Sequence, residues 1–146
     1  MMIYFAAPLF SLAERRFNSA LTEKLEALAY SVFLPQRDGV ESTRPPFDKM
    51  TPDARRKALF ETDRNQILDS DIFLFILDGR VPDEGACVEL GMAYIAKLKN
   101  NKPRVIIGFH SDARASFIGA KLNPMLKMCF DEIVQNEDEL LRCMKE

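Results

Sequence analysis

The stretch Ile72–Tyr94, IFLFILDGRVPDEGACVELGMAY, decides the fold. It opens on an unbroken apolar run, Ile72 to Leu77, the pattern of a strand buried on both faces. Asp78-Gly79 ends the run with a turn signal. A short acidic loop follows, and then a helix expected over about 85–98 that carries Glu89 in its first turns. Carboxylates therefore stand where a parallel sheet opens into a crevice at its carboxyl edge. Open α/β proteins bind their ligands there.

Working outward, the same alternation repeats along the chain. Met2 to Ala7 reads as a first strand. Ser11-x-x-Glu14 forms a capping box, and Phe17, Leu21, Leu25 and Leu28 recur behind it at helical spacing, which predicts a helix over 12–29. Ser31 to Leu34 is a second short strand. Residues 36–50 lack periodicity and hold Pro45-Pro46, so they read as a long loop, and long loops in small domains are commonly functional. Thr51-Pro52-Asp53 starts a helix running to about Leu68. Arg104 to Phe109 is the fourth strand, and residues 111–126 read as loop with a helical turn. A short fifth strand is expected within 128–134, and Asn136-x-x-Glu139 caps a last helix. Strands alternating with helices imply one α/β domain over 1–146. Its expected form is a flavodoxin-like, doubly wound, five-stranded parallel sheet with helices on both faces.

Bulk properties narrow the function. The chain has 146 residues, 47% of them hydrophobic and 29% charged, as expected of a single globular domain that needs no disulfides. A net charge of −2 gives no electrostatic reason for nucleic acid or an anionic membrane as partner. Cys87, Cys129 and Cys143 are odd in number and widely spaced, which fits a reducing compartment better than a disulfide framework or a zinc site. With His110 the only histidine, a histidine metal cluster or a Ser-His-Asp triad has no parts to be built from. Apolar runs are too short to span a membrane, and Met1 leads directly into a strand, so a cytoplasmic location is expected. The first βα turn, Ala6 to Phe10, lacks GxGxxG, and GxxxxGK[ST] occurs nowhere.

Four acids and a tyrosine could carry chemistry. Glu89 sits among Gly85, Ala86, Cys87, Gly91 and Ala93, small residues that leave room for a ligand. It is either an exposed helix glutamate or a nucleophile or general base. Asp63 shares a helix face with Leu59 and Ile67. A carboxylate on such a stripe either caps a loop or points into the crevice with a raised pKa, which suits a general acid. Asp83, two residues before Gly85, either caps the helix or accepts a hydrogen bond from a ligand hydroxyl. Asp78 has the same two readings. Tyr4, within the first strand, needs a partner for its hydroxyl, and a crevice carboxylate would serve. Two carboxylates in different environments are the parts needed to break a glycosidic bond through an oxocarbenium-like transition state. They would equally suit a sugar-binding module without turnover.

These residues together resemble the nucleoside 2-deoxyribosyltransferase family. The likeness runs from IYFAAPLF (3–10) through LPQ (34–36) and SDIFLFILDG (70–79) to PDEGACVELGMAY (82–94) and LNPM (122–125). The resemblance implies retaining transfer of 2-deoxyribose between nucleobases through a covalent intermediate on Glu89. Asp63 matches the acid that protonates the departing base, Asp83 the residue that holds the 5′-hydroxyl, and Tyr4 the tyrosine that orients the nucleophile. Gln36 falls in the loop that contacts the base. Leu9, Phe10, Met92 and Met125 are candidates for an apolar wall. Asn123 and Met125 match a segment that, in the family, reaches a neighbouring subunit. The implied partners are nucleosides and nucleobases, with a homo-oligomer whose sites are completed across subunits. No metal or organic cofactor is implied.

The chain departs from the family pattern in places. Its first loop reads Ala6-Ala7-Pro8 where many relatives carry glycine, which implies a tighter approach of the base. Its end, Met144-Lys145-Glu146, lacks the aromatic terminus some members insert into a neighbouring site. The competing reading is hydrolysis of nucleosides or nucleoside 5′-monophosphates on the same fold. Asp83 argues against a 5′-phosphate: at about 4 Å and an effective dielectric of about 20, one like-charge pair costs about 4 kcal/mol. Arg80 nearby favours it, because a guanidinium suits phosphate.

Overall fold

The computed structural model describes residues 1–100, 105–114 and 122–144. Five strands, β1 (Met2–Ala6), β2 (Ser31–Phe33), β3 (Ile72–Ile76), β4 (Val105–Phe109) and β5 (Glu132–Val134), form one sheet in the order β2-β1-β3-β4-β5. Every neighbouring pair is parallel. This is the flavodoxin-like order, and its direction of winding reverses between β1 and β3. The crevice at the carboxyl ends of those two strands is the expected binding place.

Each strand alternates its side chains between two cores. Ile3, Phe5, Ile72, Leu74 and Ile76 point to one face, where Leu21 and Leu25 of α1 (Leu12–Ala27) and Leu140 of the last helix cover them. Tyr4, Ala6, Phe73 and Phe75 point to the other. There Ile67 of α3 (Pro52–Asp69) and Ala86, Leu90 and Ala93 of α4 (Glu84–Asn100) close over them. Burial of β3 on both faces is the reason its sequence is apolar without alternation.

The helices begin where the sequence signals them. Ser11 accepts from the Glu14 amide, and the Glu14 carboxylate accepts from the amides of Ser11 and Phe10, which completes the capping box of α1. Thr51 caps α3 through the Ala54 amide. Asn136 caps α6 (Glu137–Cys143) through the Glu139 amide.

The differences from the expected elements are local. Residues 36–50 are not a bare loop. They enter through a one-turn helix, α2 (Pro35–Asp38), and hold a 3₁₀ turn at Phe47–Lys49. Proline at the first helical position starts α2, and the helix ends at Gly39, where a Cβ would stand 2.5 Å from the Pro35 carbonyl oxygen, so this cap requires glycine. The helical turn expected within 111–126 is α5 (Pro124–Lys127), while 115–121 and Arg104 lie outside the described residues. Asp78 is a tether. Its carboxylate accepts from the Ser111 amide and hydroxyl and from the Asp112 amide, tying the end of β3 to the chain leaving β4.

Candidate functional site

A cavity of about 600 Å³ opens at the carboxyl edge of the sheet. Its floor carries Asp63 from α3, Asp83 from the loop after β3, and Gly85, Ala86 and Glu89 from α4. Leu9 and Phe10 from the first βα loop, with Leu59, give it an apolar wall. Gln36, Gly39, Glu41 and Arg44 come from the segment after β2, and Arg15 from α1. This volume is in the range of small-molecule sites.

Tyr4 is fully buried at the base of the site. Its ring stacks between Phe33 at 5.6 Å and Phe73 at 5.7 Å, its register partners on β2 and β3. The sandwich fixes the phenol, whose hydroxyl donates to Glu89 Oε1 at 2.9 Å. Burial, with the Glu89 and Asp63 charges, raises the phenol far above its ordinary value, so it remains a donor throughout the useful pH range.

The two central carboxylates are both displaced upward. Burial pushes Glu89 to about 7; the Tyr4 hydrogen bond opposes this, and the nearby Asp63 and Asp83 charges add to it. Burial alone pushes Asp63 to about 6. No hydrogen bond to the Asp63 side chain occurs among the described residues, so its carboxyl is free for a ligand. Asp83 is the helix cap that one reading of its position expected, and it also lines the cavity. Its Oδ1 accepts from the Ala86 amide at 2.9 Å as a helix cap, and Oδ2 makes no hydrogen bond among the described residues while the residue lines the cavity.

The other expected contacts divide. Phe10 lines the cavity at 76% exposure. Gln36 lines it too, with its amide held by α1: Nε2 donates to the Arg15 carbonyl and Ser19 Oγ, and Oε1 accepts from Asn18. Met92, expected against the base, is outside this lining. It lies in a second, open groove with Arg64, Leu68, Ile95 and Lys99 between α3 and α4. Asn123 caps α5 through the Met125 amide, and Met125 is 79% exposed; neither lines the cavity. Arg80 is exposed and also outside it. Reading the sequence missed Asn18, Arg15, Gly39 and Arg44. Only Asn18 left a signal, as an amide beside the Leu21 and Leu25 stripe of α1.

No helix among the described residues is long and apolar enough to cross a membrane. Among them there is also no group of three or more His, Cys, Asp and Glu suited to a metal ion.

The whole chain has known relatives in structure. It superposes on a conserved protein of Enterococcus faecalis V583 with a TM-score of 0.77, at 25% identity over 99% of this chain and 96% of that one. A 2-deoxyribosyltransferase from the psychrotolerant bacterium Bacillus psychrosaccharolyticus gives 0.75, at 22% identity over 96% and 90%. The CMP N-glycosidase BcmB of Clostridium botulinum gives 0.54, at 18% identity over 99% and 98%. Among curated proteins none matches the chain. The family model described as nucleoside 2-deoxyribosyltransferase matches residues 3–140, nearly the whole chain. With its five parallel strands and the acidic crevice at their switch point, the chain belongs to the nucleoside 2-deoxyribosyltransferase family.

Proposed function

We propose that this protein transfers 2-deoxyribose between nucleobases, with free 2′-deoxynucleosides as donors and retention at the anomeric carbon. The observation that carries this reading is the hydrogen bond from the buried Tyr4 to Glu89, which aims a desolvated carboxylate into the cavity. Glu89 attacks C1′ as the bond from C1′ to the base nitrogen breaks. Asp63 gives its proton to that nitrogen, and the sugar becomes an ester of Glu89. A second base then attacks C1′, Asp63 takes back a proton, and Glu89 leaves. Two inversions give retention. Asp83, with Oδ2 open, accepts the 5′-hydroxyl and disfavours a 5′-phosphate in its place. Leu9, Phe10 and Leu59 shield the intermediate from water.

The proposed assembly is a homo-oligomer. Phe60, Val88, Ile95 and Leu98 stand 48–61% exposed on the outward sides of α3 and α4, around the groove that holds Met92. A second copy would cover them, and Met125 would reach a neighbouring site. Light scattering should give a multiple of the monomer mass; a monomer at micromolar concentration removes this part of the proposal.

Mixing a 2′-deoxynucleoside with a different free base should produce the second deoxynucleoside. Free deoxyribose as the sole sugar product would point to a hydrolase instead. Glu89→Gln should lower exchange by about 10³-fold or more, since the nucleophile is lost. Full exchange by that variant would refute the mechanism.

Proton linkage gives a second test of the same side chain. The folded-state value of Glu89 lies near 7, above its ordinary 4.5, so the native protein holds a proton that the unfolded chain releases. Stability therefore falls as pH rises from 4.5 through 7, and the penalty is fully present above 7. Glu89→Gln removes it. Urea unfolding should show the variant more stable than the parent by about 2 kcal/mol at pH 8, after a discount for the open side of the cavity, with a much smaller gain at pH 4.5. An equal gain at both pH values would show that the charge is not the cause.

Between about pH 6 and 7 the pair Asp63 and Glu89 holds a single proton, mostly on Glu89, which has the higher value, and the competent form is the minor one with that proton on Asp63. The profile of kcat/KM should be a bell with limbs near those values. Tyr4→Phe keeps the aromatic stack but removes the bond that favours ionised Glu89. The upper limb should move up by about one pH unit and the plateau fall by about tenfold. A lower plateau with an unmoved limb would mean that Tyr4 acts on shape alone.

A further inference from the structure

Asn18 is 2% exposed on the inner face of α1, a place where helix packing alone calls for an apolar residue. Its Nδ2 donates at 3.0 Å to the Pro8 carbonyl and at 3.0 Å to Gln36 Oε1. A carbonyl only accepts, so Pro8 fixes which way the Asn18 amide faces. Gln36 Nε2 donates at 2.9 Å to the Arg15 carbonyl and at 3.0 Å to Ser19 Oγ. The Arg15 carbonyl fixes the Gln36 amide in the same way. Both Nε2 hydrogens are then in use, and Oε1 has accepted one bond. The remaining hydrogen-bonding position of the amide is the second lone pair of Oε1. Gln36 lines the cavity and Asn18 does not.

We propose that Asn18 determines base specificity by positioning Gln36 as an acceptor, so that the cavity prefers a heterocycle with an exocyclic amino group over one with an exocyclic oxygen. The proposal rests on the reading of this cavity as a nucleobase site. An amino group gives its hydrogen to Oε1. An exocyclic oxygen in the same place sets two lone pairs against each other, with no rotation of the amide available to relieve them. Asn18 touches no substrate and acts through Gln36.

Replacing Asn18 by aspartate breaks the relay. A carboxylate cannot donate to Pro8 or to Gln36 Oε1, and it draws Gln36 Nε2 toward itself. The Gln36 amide is then pulled two ways, toward turning by the carboxylate and against it by the Arg15 carbonyl, and Oε1 is no longer held as the acceptor that faces the base.

Calorimetric binding of the free bases adenine and hypoxanthine at pH 8 reads this directly. The parent protein should bind adenine about tenfold more tightly, the worth of one hydrogen bond. Asn18→Asp should bring the ratio to one or reverse it. Gln36→Met, which keeps the side-chain length without an amide, should bring it close to one and does not depend on the fold tolerating a buried aspartate. A parent ratio near one overturns the proposal. So does a ratio that survives in Gln36→Met, or an Asn18→Asp protein that weakens both bases equally, as a purely structural role would. The exchange assay run in parallel separates the two readings. A shifted ratio without any base exchange sustains the role of Asn18 and removes the transferase, whereas exchange with an unshifted ratio does the reverse.

Discussion

The hydrogen bond from Tyr4 to Glu89 is the constraint on which the site depends, and it ties the site to the sheet. A glutamate that loses water binds its proton more tightly, and burial alone would leave Glu89 neutral over most of the useful pH range. The phenol restores part of the lost solvation from a fixed direction. It can do so only because its ring is clamped between Phe33 and Phe73, its register partners on two neighbouring strands. A slip of one residue in β1 would turn Tyr4 to the opposite face and bury Ile3 or Phe5 in its place. Strand register and the placement of the Glu89 carboxylate are thus a single requirement.

The three acids differ through their surroundings. Asp83 lines the cavity with one oxygen committed to the α4 cap and the other without a hydrogen bond among the described residues. Asp63 has lost water without gaining a donor among the described residues, and this raises its carboxyl to about 6. Glu89 has lost water and gained one donor. Pairs of carboxylates with separated environments are what acid–nucleophile chemistry needs at one pH. The same lost solvation makes the folded chain less stable above neutral pH than an uncharged site would leave it.

Most of the fold was legible because β3 is apolar throughout and the helix caps are explicit. Capping boxes and proline starts are local signals, and they placed α1, α3 and α6 within about two residues. The one-turn α2 was not legible. It is set by Pro35 and by the close approach of Gly39, with no periodicity to read in four residues. Within the site, Met92 was misplaced for a geometric reason. It is three residues beyond Glu89, which carries it about 4.5 Å farther along a helix that starts at the sheet edge and runs away from it. Small neighbours of Glu89 at 85 and 86 line the cavity, whereas those after it do not. Asn18 was overlooked because apolar spacing in α1 draws attention to Phe17 and Leu21, and a buried amide acquires meaning only once its partner, eighteen residues away, is known.

Transfer differs from hydrolysis only in which nucleophile reaches the intermediate first, so the mouth of the cavity matters as much as its floor. In the single chain that mouth is open: Phe10 is 76% exposed and Leu59 46%. Water at its bulk concentration would outcompete a dilute base unless these side chains are covered or the base itself fills the gap. The apolar sides of α3 and α4 extend from this region, and Leu59 belongs both to the cavity lining and to α3. A second copy packed on α3 would therefore shield the intermediate as well as bury apolar surface. Under the proposed mechanism the balance between transfer and hydrolysis would be a property of the assembly, while Glu89, Asp63 and Tyr4 would set the rate at which either begins.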